Sequence, residues 1–100
     1  MIRGTTPTHT FTIPFDASLI AKCKIIYAQD GVEVFCKNTE DCVLTGQSIS
    51  TRLTQEETFS LDCKKYVEIQ VRVLTTTGDA LSSLVMKVGL DKCLDDEVLA

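Results

Sequence analysis

One hundred residues, 44% of them apolar, suffice for one hydrophobic core but not for two domains. A net charge of −4 with dispersed Lys and Arg argues against binding DNA or RNA, and no apolar run approaches the ~20 residues of a membrane-spanning helix. The five cysteines, Cys23, Cys36, Cys42, Cys63 and Cys93, include no C-x-x-C pair and have only His9 as an imidazole companion, which speaks against structural zinc.

In chain order, residues 1–10 carry one basic side chain with no apolar run behind it, so no cleaved secretory signal is expected and synthesis falls in a cytoplasm. Residues 8–13 alternate as a strand that Pro14 ends or marks as a sheet edge. Asp16 caps one helical turn over residues 16–20. Residues 23–29 and 32–37 flank Asp30-Gly31, a dipeptide suited to the positive φ angles of a type I′ turn, and form a hairpin. A second hairpin pairs residues 41–44 with 48–53 through a three-residue loop, Thr45-Gly46-Gln47.

The next segment, LTQEET, sets Glu56 beside Glu57. A carboxylate pair used as acid and base needs two different environments around one cleft, whereas adjacent residues diverge. Thr54 and Glu57 stand instead in the Thr-x-x-Glu relation of a capping box, which predicts one helical turn between two strands. Residues 67–73 then alternate without a fault: Val67, Ile69, Val71 and Val73 on an inner face, Glu68, Gln70 and Arg72 on an outer one. A turn follows over residues 75–79. Residues 80–88 fit a short helix interrupted by two serines or a strand with Leu84, Met86 and Val88 on one face; the strand is the expectation. The acidic end, residues 91–99, lacks the calcium-loop pattern and reads as a tail.

About seven short strands with no helical layer predict an all-β fold, an antiparallel β-sandwich of immunoglobulin-like architecture without that family's Cys-Trp-Cys signature. The chain reads as a single domain over residues 1–100 with short terminal extensions, about 1–7 and 91–100. The thiols are expected to stay reduced and to pack as small apolar groups, with a Cys36–Cys42 disulfide open in an oxidising medium. His9 reads as an ordinary strand histidine, and no phosphate-binding glycine loop occurs. No catalytic, metal-binding or cofactor-binding residue is predicted, and an enzyme is not expected. What remains are the ends, where Ile2, Arg3, Leu94, Val98 and Leu99 are the candidate partner-binding residues, in segments composed like tails that order on a neighbour.

The segments MIRGTTPTHTFTIPFD, YAQDG, LTQEETF, IQVRV, GDALSS and LDDEVL together resemble small proteins of similar length encoded in phages and prophages of Firmicutes. The resemblance spans nearly the whole chain. It implies a virion structural protein of the head, tail or baseplate, present in many copies or as a homo-oligomer, with other virion proteins as partners and no cofactor. The alternative within the same viral context is a small binder that inhibits a host protein.

Overall fold

The computed structural model describes residues 1–100, and in it eight strands form two antiparallel sheets. The smaller sheet has the order β1 (Thr8–Thr12), β5 (Ser48–Arg52), β4 (Cys42–Thr45). The larger has the order β3 (Val32–Asn38), β2 (Ile20–Gln29), β6 (Val67–Thr75), β7 (Ala80–Ser82), and β8 (Met86–Val88) also lies on β6. One helical turn, α1 (Gln55–Phe59), and two 3₁₀ turns, Ala17–Leu19 and Thr39–Asp41, complete the elements. The fold is all-β and sandwich-like, and no helix is long and apolar enough to cross a membrane.

The core follows from strand alternation on the central pair. Cys23, Ile25 and Tyr27 of β2 stand directly across from Val73, Val71 and Ile69 of β6, and all six are buried. Alternate residues point to one face of a pleated strand, so a single register brings all of them to the interior. The smaller sheet covers them with Phe11, Leu44 and Ile49, which are neighbours across β1, β5 and β4. An aromatic stack bridges the layers: the His9 ring lies 5.7 Å from that of Tyr27, which stacks on Phe35 at 4.7 Å. Every buried side-chain donor or acceptor has a partner.

Two loops position the strands through backbone angles. Asp30 (φ +52°) and Gly31 (φ +75°) make the two-residue connection of the β2–β3 hairpin, with both angles positive as a type I′ turn demands. In the β4–β5 hairpin Thr45 pairs with Ser48, so the loop is two residues, Gly46-Gln47, and not the three expected. Glycine at the first position (φ +55°) with an ordinary residue second suits a two-residue type II′ connection, and Thr45 joins the ladder.

Two further expectations are corrected. The strands number eight because residues 80–88 do not form one strand. Leu81 stands across from Val73 and Met86 from Ile69, so three residues, 83–85, face only two on β6, which is the arithmetic of a β-bulge. The cause is Ser83: its N–H donates to Val71 O at 2.9 Å while its Oγ accepts from Val71 N at 3.0 Å, satisfying that ladder position with a side chain. Leu84 is thereby turned out, 89% exposed, and only Met86 and Val88 of the expected trio pack on the core. On β3, Val32 and Val34 are the apolar residues nearest the turn. A register shift between Tyr27 and Ala28 sends Phe35 and Lys37 inward instead, and both valines are exposed.

Candidate docking surface

The two ends of the chain lie side by side. Ile2 and Asp91 form a parallel bridge, with Arg3 N donating to Asp91 O at 2.9 Å and Asp91 N to Met1 O at 2.8 Å. The Arg3 guanidinium then reaches the end of α1, where Nη2 donates to Phe59 O (2.8 Å) and Nε to Leu61 O (3.0 Å), while Nη1 is paired with Asp96. A cation is favoured at the carbonyl end of a helical turn, and its carbon sits 5.1 Å from the centre of the Phe59 ring. Arg3 is thus spent on its own chain. Gly4 beside it is positive in φ (+82°), and a Cβ there would come within 2.5 Å of the Phe59 ring, so glycine is required by both angle and space.

α1 is built by the sequence locally. Thr54 Oγ1 accepts from Glu57 N at 3.1 Å, and Thr54 N donates to Glu57 Oε1 at 2.8 Å. The same Glu57 oxygen accepts from Lys37 Nζ at 2.7 Å, so the inward-pointing lysine of β3 ends on the cap of α1. Glu56 is exposed and has no such partner. Sequence reasoning did not find the Lys37–Glu57 pair, because the β3 register shift puts Lys37 on the inner face.

The carboxyl-terminal segment rests on α1 by two bonds between the Gln55 side chain and the Leu99 main chain: Gln55 Nε2 donates to Leu99 O (2.7 Å) and Leu99 N to Gln55 Oε1 (2.9 Å). A carboxamide that grips a peptide unit leaves the side chain of that residue free. Leu99 is 72% exposed, Leu94 96%, Val98 40% and Ile2 51%, so the polar contacts that tie the two end segments down leave all four apolar candidates unburied. Isolated exposed apolar residues are ordinary; here all four lie on end segments that hydrogen bonds hold against the body.

Several titratable groups with displaced pKa values lie between the sheets. Burial, and then the positive amino terminus, hold the His9 imidazole below its usual value, and it shares a 2.7 Å hydrogen bond with the Tyr27 hydroxyl. Burial pushes the Cys42 thiol up to about 12, helped by Cys23 facing it from the other sheet, and burial raises Cys23 as well. All five cysteines are free, and the thiol that faces Cys42 across the sheets is Cys23 rather than Cys36. Raised thiol pKa values mean few thiolates near neutral pH, which suits packing rather than nucleophilic chemistry.

No protein family, curated protein or solved structure matches the chain.

Proposed function

We propose that the chain is a structural protein of a phage virion, in its head, tail or baseplate, which docks on other virion proteins through the apolar side chains of its two ends. The observation that carries this reading is that Ile2, Leu94, Val98 and Leu99 stay exposed on two end segments tied to each other and to α1 by bonds from Arg3 and Gln55. The resemblance of the sequence to proteins encoded in phages supports the viral context. Docking by packing and copy number needs a rigid scaffold with outward anchors, and a two-sheet body with its ends tied down supplies one.

Mass spectrometry of purified particles and of infected cells tests the proposal. The polypeptide is expected in the particles, at a stoichiometry above one. Its presence in infected cells together with its absence from particles overturns the virion reading. Recovery in complex with a host protein would then favour the small-inhibitor reading.

A further inference from the structure

The edge of the larger sheet separates two hollows of different chemistry. β7 hydrogen-bonds only to β6, and β1 only to β5, so each leaves one edge of its sheet unpaired. Between these two open edges runs a groove of about 510 Å³, walled by Phe11, Ile13, Phe15, Val71, Val73 and Leu81. On the outer side of β7 lies a shallow cleft of about 820 Å³ with Lys22, Lys24 and Arg72 on its walls. The hollows meet at Val73, Leu81 and Ser82.

The charge in the outer cleft is unbalanced. Lys24 and Arg72 are direct cross-strand partners, an arrangement in which like charges repel, and none of the three cations is in an ion pair. Glu40 is the one acid on the wall. Three of the chain's ten basic residues are therefore gathered, uncompensated, on one side of a protein whose net charge is −4. An edge with free N–H and C=O groups, an apolar slot on one side and cations on the other together specify an extended peptide that is both acidic and apolar.

The chain carries such a peptide. Residues 94–100 read LDDEVLA, with Asp95, Asp96 and Glu97 between exposed Leu94 and exposed Val98 and Leu99. In an extended conformation Leu94, Asp96 and Val98 share one side while Asp95 and Glu97 share the other. Released from its pair with Arg3 and laid along β7, the first side faces the apolar groove, where Asp96 falls among the hydroxyls of Thr10, Thr12 and Ser82, and the second faces Lys22, Lys24 and Arg72. We infer that a second copy of this chain occupies the strip around β7, adding its acidic carboxyl-terminal segment to that edge. The inference deepens the docking reading above and rests on it, naming the partner and its seat.

Sedimentation of the full chain from about 1 µM to about 1 mM tests it. Reversible association is expected, weakened about tenfold or more between low and high salt because the contacts are ionic and surface-placed. Two charge-reversed variants then decide the seat. Lys24→Glu with Arg72→Glu turns the cleft acidic; Asp95→Lys with Glu97→Lys turns the segment basic and leaves Asp96 itself unchanged, so the Arg3–Asp96 pair of the free chain is kept. Each alone is expected to stay monomeric, and the two mixed to associate again. Lys22→Gln with Arg72→Gln, which removes charge without inverting it, serves if reversal costs the fold, as judged by circular dichroism. A wild-type chain monomeric at the highest concentration, reversed variants that associate like wild type, or a mixture that does not associate each overturns the inference. Absence of self-association in a chain that is present in virions sinks this seat alone, whereas self-association in a chain absent from virions sinks the virion reading alone.

Discussion

Glu57 serves two structures with one oxygen, closing the cap of α1 and neutralising the buried end of Lys37. The two duties are separable by substitution. Thr54→Ala removes only the hydroxyl half of the box and is expected to cost about 1 kcal/mol of unfolding free energy. Glu57→Gln also leaves a nearly buried ammonium without its anion and is expected to cost more, about 2 kcal/mol, less than for a fully buried pair because Glu57 is partly exposed. Lys37→Met in the Glu57→Gln background should recover most of the difference. Urea denaturation of the four proteins measures this directly; equal losses at Thr54 and Glu57 would show that the Lys37 pair contributes nothing.

His9 gives the same scale a pH dependence. Its folded-state pKa lies below the usual 6.5 of the unfolded chain, so within the window under pH 6.5 the unfolded state binds the proton more readily. Stability is therefore expected to fall as pH drops through 6.5 and to level off once the folded form is protonated too. His9→Phe should flatten the slope in that window, as the chain has no other histidine. Thermal melts between about pH 5 and pH 8 bracket the unperturbed histidine value. A slope unchanged by the substitution would assign the effect elsewhere.

Among the elements, β6 decides most. Its inner residues Val67, Ile69, Val71 and Val73 are buried, and it pairs with β2, β7 and β8. Val71→Asp is expected to cost several kcal/mol, enough to unfold the domain, since it places a charge without a partner in the core. Gln70→Asp on the other face is expected to cost under about 1 kcal/mol, the loss of one partly exposed hydrogen bond to Ser83 O. Circular dichroism and a denaturant titration distinguish the two, and equal sensitivity would mean that both faces are covered. The period of two in residues 67–73 made this strand legible from sequence, as did Asp30-Gly31 for the first hairpin. The bulge over residues 83–85 was not legible, because a serine acts as a ladder acceptor only when its neighbour strand is already in place. The inward turn of Lys37 was hidden for the same reason: its face is set by a register shift between β2 and β3, not by local alternation.

At the scale of the whole molecule, Arg3 ties both ends to the body. It is bonded to the end of α1, stacked on Phe59 and paired with Asp96. Arg3→Ala should lower the stability of the domain by about 1–2 kcal/mol and speed proteolysis in residues 91–100 more than in the strands. Melting and timed digestion read the two effects separately. Uniform protection after the substitution would mean that Gln55 alone holds the carboxyl-terminal segment. The joining of the two ends is a property of this scale, since residues 1–3 and 89–91 are distant in sequence and bond to each other only in the folded chain.

Sequence alone determined what depends on neighbours in the chain: the all-β class, the two-sided strands, the Asp30-Gly31 turn and the Thr54–Glu57 cap, because alternation, φ preference and capping act over a few residues. Tertiary structure decided the bulge at Ser83, the Lys37–Glu57 pair, the facing thiols of Cys23 and Cys42, and the joining of the ends. Each of these is a contact between segments far apart in the chain, and its existence depends on strand order and register, which residue periodicity leaves free.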